Sequence, residues 1–442
     1  MKKIFFITLA AMTLLTGCKQ EQDDFFSESS ASRADKVVAK NYKILTSAPH
    51  GWYLKYFPSK EQAYGGYTFC VSFSEDGKVT FAGESDISGG TEKKATSLYT
   101  ISQSAGVTLS LDTYNEIFSK MADPGAPLSG YAGEGLGGDN EFSILSACAD
   151  SVTLLGRASG NHAVMYPMAS DDWKGFLDKV ASIDEKMFAT SYTMTIGSDV
   201  FDIRTDMRGM YITYVEDGKY VQVSTSYIIN DDGMKFYKPF EFKGHAITGF
   251  KLNDSGNEFY SFESNDVKLV KNSINKQFVN ALWYAQKEDM GEYGAYWWGR
   301  WESSVTNNKY LPGEMLLTCF GYFNYAVGLL VDVYVEEDQD SYLGQIFYDY
   351  ELIGDDQVKL TCAKTGDDYG SMLLSSGYNY GCEPFGYRQP LTFKLSSDNL
   401  KEYIDLECLT PTKVGSKAYT NNIRLFMKSK IYPLRNPEDR EE

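Results

Sequence analysis

Short runs of alternating apolar and polar residues recur along most of this chain, and a few stretches switch to a helical step. Alternation over about four to eight residues marks a strand with one buried face. YTFCVSF and KVTFAGE read this way and flank Glu75-Asp76-Gly77-Lys78, an Asp-Gly hairpin signal. LYTIS, VTLSLD, EFSIL and SVTLLGR continue the meander to about Met168. SYTMTIG, VFDIRT and MYITYV resume it, and Glu216-Asp217-Gly218-Lys219 repeats the first turn almost letter for letter. Asp231-Asp232-Gly233 and Asp254-Ser255-Gly256 mark further turns. EMLLTCFGYF, AVGLLVDVYVEE, GQIFYDYELI, QVKLTCAK, LTFKLSS, YIDLECL and IRLFMKSKIYPL predict a last β-rich unit.

Helical spacing appears between these runs. Val37, Val38, Asn41, Tyr42 and Leu45 predict an amphipathic helix over Asp35–Ser47. Trp173, Phe176, Leu177, Val180, Ile183 and Met187 form one apolar stripe over Asp171–Phe188, with Ser170 as N-cap. A third helix is expected from Ile274 to about Gln286, capped by Ser273, burying Ile274, Phe278, Leu282 and Trp283. The fold class is therefore mainly β: two or three antiparallel, lipocalin-like curved-sheet units, each introduced by a short helix. The units span 34–169, 170–271 and 272–442. The last reads as a repeat of the first, because SLYTISQSAGVTLSLD and FYDYELIGDDQVKLTCA share a layout and Tyr166-Pro167 has a counterpart in Tyr432-Pro433. On this reading the middle unit is a shorter β segment.

The first residues have a different character. Lys2 and Lys3 precede an apolar run from Ile4 to Leu15, too short for the roughly 20 residues of a membrane span. Leu14-Leu15-Thr16-Gly17-Cys18 resembles the signal-peptidase-II site of bacterial lipoproteins, which makes residues 1–17 a signal peptide and Cys18 the lipidated residue. Residues 18–33, acidic and then Ser-rich, read as a flexible tether.

Composition narrows the partners. Over 442 residues the formal net charge is −18, so phosphate backbones are repelled and nucleic acid is not an expected partner. Aromatic residues reach 15%, with 33 Tyr and 26 Phe, which suits β structure and sugar- or protein-facing surfaces. Beyond Cys18 there are Cys70, Cys148, Cys319, Cys362, Cys382 and Cys408, with no C-x-x-C pair. Several sit in apolar runs, so buried free thiols lead over disulfides.

No catalytic constellation emerges. His50, His162 and His245 fall in turn-like contexts outside any H-E-x-x-H or H-x-H pattern, and no G-x-S-x-G elbow occurs. Neither a metal nor a cofactor is expected. The acidic run from Glu336 to Asp340 reads as a solvated loop, and the glycines from Gly133 to Gly138 as a mobile one. The suggestive feature is aromatic: Tyr293, Tyr296, Trp297, Trp298 and Trp301 crowd into one glycine-containing stretch, and Tyr378 and Tyr380 into a second. Read as loops at a sheet edge, these are the candidate ligand-binding residues, since aromatic faces stack on sugar rings. Packing between units is the competing explanation.

SAPHGWYLKYFP, YGGYTFCVSFSEDGKVT and GMKFYKPFEFKG, with the lipobox and its acidic tether, resemble an uncharacterised Bacteroidota lipoprotein family of unknown function. That resemblance implies a place beside outer-membrane nutrient transporters and glycan-binding lipoproteins, and it implies no catalytic residue. The expected function is a non-enzymatic accessory lipoprotein, anchored in the outer membrane and facing the cell surface. It would bind a glycan or peptide nutrient, or the import complex. A carboxylate-based glycan hydrolase and a purely structural scaffold are the alternatives.

Overall fold

The computed structural model describes residues 29–103, 106–125, 135–253, 258–306 and 313–427. The segment expected to be a signal peptide, Cys18, most of the expected tether and Tyr432-Pro433 lie outside the described residues.

Helix α1 (Ser30–Leu45) starts five residues before the expected point, because Ser29 accepts a hydrogen bond from the Ser32 amide and caps it. Eight strands follow: β1 (Trp52–Tyr56), β2 (Tyr67–Phe73), β3 (Lys78–Gly83), β4 (Ala95–Gln103), β5 (Val107–Leu111), β6 (Glu141–Ala147), β7 (Val152–Gly156) and β8 (His162–Pro167). Each pairs with the next, and β8 returns to β1, closing barrel I. Helix α2 (Trp173–Met187) leads into barrel II; its cap is Asp172, which takes the Gly175 amide, and not Ser170.

Barrel II comprises β9 (Ser191–Ile196), β10 (Asp199–Asp206), β11 (Gly209–Glu216), β12 (Lys219–Asn230), β13 (Gly233–Phe242), β14 (His245–Leu252), β15 (Glu258–Ser261) and β16 (Val267–Lys271), closed by β16 on β9. The middle unit thus has eight strands like its neighbours, though it spans fewer residues than either. Its strands are long and its hairpin turns tight, and the Asp217-Gly218 turn has positive φ at both residues, as a two-residue hairpin requires.

The third helix, α3 (Ile274–Val279), is half the expected length, and Leu282–Tyr284 forms β17. A further helix, α4 (Glu292–Thr306), is inserted before β18 (Glu314–Phe323), β19 (Ala326–Val335), β20 (Asp340–Ile353) and β21 (Gln357–Gly366). Helix α5 (Asp368–Ser375) and a 3₁₀ segment (Tyr378–Phe385) precede β22 (Leu391–Ser396) and β23 (Tyr403–Cys408). The pair β24 (Thr412–Val414) and β25 (Lys417–Tyr419) stands apart, and β26 (Asn422–Phe426) closes barrel III between β23 and β17. The two segments compared in the sequence form β4–β5 and β20–β21, the fourth and fifth strands of barrels I and III.

Each barrel fills its interior with its own apolar cluster, led by Trp52 and Phe69 in I, Tyr192 and Phe250 in II, and Trp283 and Phe320 in III. Helix α2 serves two of them: Trp173 and Leu177 pack with Cys70 and Ala82 of barrel I, while Val180, Ile183 and Met187 join the core of II. Charges complete the joint. Arg208, in the β10–β11 turn, reaches Glu84 at 2.5 Å and donates to the Gly66 carbonyl at 2.6 Å. Lys401 of barrel III reaches Asp184 of α2 at 2.5 Å and Asp86 of barrel I at 3.2 Å.

Candidate functional site

Midway along β10–β12 the outer face of barrel II is polar where its inner face is apolar, and the strand register sorts those polar residues into rows. Arg204 faces Tyr211, while Asp202 faces Thr213 and Thr213 faces Gln222. The intervening Ile203 and Ile212 point inward and are buried, as a period of two demands. The five outward residues form one wall of a groove of about 490 Å³.

Barrel III supplies the opposite wall through Tyr322, Asn324 and Tyr325 of the β18–β19 hairpin and Tyr350 and Leu352 of β20. Phe323 pairs with Ala326, so Asn324 and Tyr325 are the whole turn, with φ of 43° and 66°. Asparagine suits such a position, but the second residue is ordinarily glycine. A tyrosine there carries a left-handed backbone penalty of roughly 1–2 kcal/mol, and its ring is 81% exposed at the groove mouth. Lys276 and Val279 of α3, with Asn272 ahead of it and Asn280 at its C-terminal cap, line the same groove.

Hydrogen bonds in α3 fix the spacing of the walls. The Gln277 side-chain oxygen accepts from the Thr190 amide at 2.6 Å, the Ser191 amide at 3.0 Å and the Thr190 hydroxyl at 2.8 Å. Its amide nitrogen donates to the Ser191 carbonyl at 2.8 Å and to the Asn272 carbonyl at 3.1 Å. Asn275, two residues earlier, donates to the Gly354 and Gln357 carbonyls at the β20–β21 turn of barrel III. The helix is therefore stitched to both barrels.

The charges within the groove are matched. The Arg204 guanidinium lies 4.5 Å from the Tyr211 ring centre and 4.9 Å from that of Tyr322, one ring from each barrel. Its counter-ion is Asp206 at 3.3 Å, and Lys276 stands 4.0 Å from Asp202. Burial raises the Tyr211 phenol above its ordinary pKa, so it stays a neutral donor. Among the described lining residues Asp202 is the one carboxylate. The groove offers flat rings, carboxamides and hydroxyls: a surface for hydrogen-bonding and stacking.

The aromatic candidates from the sequence gather elsewhere, on barrel III. The stretch read as a loop is helix α4, and the reason is visible in its spacing: Tyr293, Trp297, Trp301 and Val305 fall on one buried side at four-residue steps. That helix packs on the 3₁₀ segment, bringing both candidate clusters together. Trp297 stacks on Tyr380 with ring centres 5.7 Å apart, and Trp301 meets Tyr378 edge-on at 6.4 Å. Gly381 is required there, because a Cβ would come within 2.7 Å of the Trp301 ring. Tyr293, Trp297, Trp298, Trp301 and Tyr378 are buried; Tyr296 and Tyr380 are half-buried. The Glu383 carboxyl is only 1% exposed and pairs at 2.7 Å with Arg388, whose guanidinium lies 4.4 Å from the Trp297 ring centre. Burial, opposed by Arg388, pushes its pKa up to about 7.

Other sequence features settle into the fold. Of the glycine run, residues 135–138 are described and have no regular secondary structure, as expected of a loop; Leu136 in it is fully buried and Gly138 donates to the Met121 carbonyl at 2.9 Å. Glu336–Gln339 is the turn between β19 and β20. All six cysteines beyond Cys18 are free thiols. No group of three or more His, Cys, Asp or Glu side chains among the described residues is placed to hold a metal ion. A second concavity, of about 500 Å³ on barrel I, is lined by Asp112, Tyr114 and Asp123, and there the Tyr114 hydroxyl is already given to Asp123 at 2.7 Å.

Sequence reasoning missed the groove because its walls are far apart in the chain. One local signal was available: Phe323-Asn324-Tyr325-Ala326 puts a tyrosine where a hairpin wants glycine.

A family described as Domain of unknown function (DUF4302) matches residues 22–254, which takes in barrel I and barrel II through β14. No curated protein matches the chain. The solved structure of the DNA polymerase III beta chain from Streptococcus pneumoniae TIGR4 aligns with 9% identity over 89% of this chain and 98% of that one. Its TM-score is 0.13, and it carries no argument about fold or function.

Proposed function

We propose that the chain, which belongs to the DUF4302 family, is a cell-surface accessory lipoprotein that binds a nutrient glycan without transforming it. The observation that carries this reading is the groove between barrels II and III, where Tyr211, Tyr322, Tyr325 and Tyr350 surround carboxamides and paired charges. Ring faces on amphipathic tyrosines suit the apolar faces of sugars, and amides and the Arg204 edge suit their hydroxyls. Hydrolysis of a glycosidic bond ordinarily takes two carboxyl groups flanking it, and the groove presents Asp202 alone.

The lipobox ending at Cys18 and the acidic residues after it support an outer-membrane anchor and surface exposure. The partner on this reading is an outer-membrane transporter or a glycan-binding lipoprotein of the same import system. The test is calorimetric titration of the mature chain with neutral oligosaccharides identified on a glycan array. Tyr325→Ala should weaken binding roughly two- to tenfold with the fold intact. Binding unaffected by Tyr325→Ala, or retention of peptides in place of glycans, would overturn the reading.

A further inference from the structure

We infer that the ligand is a neutral oligosaccharide whose chain runs out of the groove along the outer face of barrel II, onto Val200, Val215 and Tyr220. This rests on the glycan-binding reading above and extends it to the length and charge of the ligand.

Strand register makes the extension visible. The groove wall ends in the row Asp202, Thr213 and Gln222. Two residues further on each strand, on the same outer face, stand Val200, Val215 and Tyr220. Val215 pairs directly with Tyr220, and the β10–β11 register brings Val200 alongside. All three are open to solvent, at 65%, 60% and 87% exposure. Solvent-facing positions of an antiparallel strand are normally polar, and the row before this one obeys the rule. The apolar row breaks it immediately beyond the groove.

The geometry fits a chain-like ligand. Successive same-face positions on a strand are about 6.8 Å apart, so the face from the Arg204 row to the Val200 row is roughly 13 Å long. That path starts between the tyrosines of the groove and ends on a row in which Val215 lies between Val200 and the Tyr220 ring. The platform of three side chains is far smaller than the roughly 800 Å² per partner of a stable protein interface. A sugar ring needs no more than such a platform. The charges argue for neutrality: among the described groove-lining residues the two cations, Arg204 and Lys276, each already face a carboxylate, Asp206 and Asp202.

The experiment is titration of the mature chain with a neutral glycan series of increasing length. Wild-type affinity should rise with length and then level off. Tyr220→Ala should weaken the longest members roughly two- to tenfold and leave the shortest unchanged, whereas Tyr325→Ala should weaken every member. If Tyr220→Ala binds all lengths like wild type while Tyr325→Ala does not, the extension is wrong and the groove reading survives. If no member binds wild type, both fall. Tighter binding of acidic oligosaccharides would overturn neutrality. Concentration-dependent dimerisation abolished by Tyr220→Ala in sedimentation runs would make the row a self-association surface instead.

Discussion

The Trp283 indole N–H donates to the Phe278 carbonyl at 2.9 Å, across the step from helix α3 into the first strand of barrel III. Trp52 makes the same bond to Leu45 at 2.9 Å in barrel I, and the Tyr192 hydroxyl reaches the Met187 carbonyl in barrel II. A helix leaves its last carbonyls without partners. In each unit an aromatic residue of the first strand satisfies one of them while its ring fills the barrel.

Replacing Trp283 by Phe keeps most of the ring and removes the N–H, leaving a buried carbonyl unpaired. The expected loss is about 1–3 kcal/mol, measured as a lower urea midpoint for barrel III. An unchanged midpoint would mean that the ring alone does the work.

Arg208→Ala should be more damaging. Glu84 is 5% exposed and would keep only the Thr68 amide at 2.7 Å as a partner. Breaking a buried ion pair costs roughly 3–5 kcal/mol. Burial already raises the Glu84 pKa, and losing the guanidinium raises it further, so the variant should be hurt less at pH 5 than at pH 8. Thermal denaturation at the two values checks both size and sign.

Glu383 gives a pH dependence in the wild-type protein. Its folded pKa of about 7 lies above the ordinary 4.5 because of burial, with Arg388 opposing. A carboxyl raised on folding favours the native state at low pH, and that contribution fades as pH climbs from 4.5 through 7. Relative to wild type, Glu383→Gln should therefore gain stability between pH 5 and pH 8, by up to about 3 kcal/mol. Equal midpoint differences at both pH values would contradict the assignment.

Trp301 and Tyr296 sit on one helix but should respond differently. Trp301 is fully buried, and Trp301→Ala is expected to cost about 3–5 kcal/mol. Tyr296 is half-buried, touching Arg300 and Tyr419, and Tyr296→Ala should change stability by less than about 1 kcal/mol. Calorimetric scans of the two variants separate core from surface.

Thiol labelling should be ordered in the same way. Cys148 is exposed, and hydrogen bonds from its own turn lower its pKa. Cys70 and Cys319 are buried, and burial raises theirs. Iodoacetamide on the native protein should modify Cys148 first, with Cys70 and Cys319 reacting only on unfolding; peptide mapping reads the order.

Local features of the chain were legible wherever one element carries its own signal. The stripe from Trp173 to Met187 gave α2, and Asp217-Gly218 gave its hairpin. Closure was not legible, since pairing Trp52 with Pro167 depends on strands far apart in the sequence. Helix α4 was misread because glycines and aromatics are weak helix formers, although the four-residue step from Tyr293 to Val305 was there to be counted. The groove was hidden for a third reason: Arg204 and Tyr322 belong to different barrels, which meet about α3.

Every described barrel ladder lies within one unit, and charges such as Arg208 and Lys401 join the units afterwards. A polypeptide emerging N-terminus first from a ribosome can then close barrel I before barrel II has appeared. A finished barrel presents no open edge to strands still arriving. Such a layout lets folding proceed as three local closures, with ion pairs such as Arg208–Glu84 available once both of their units are in place.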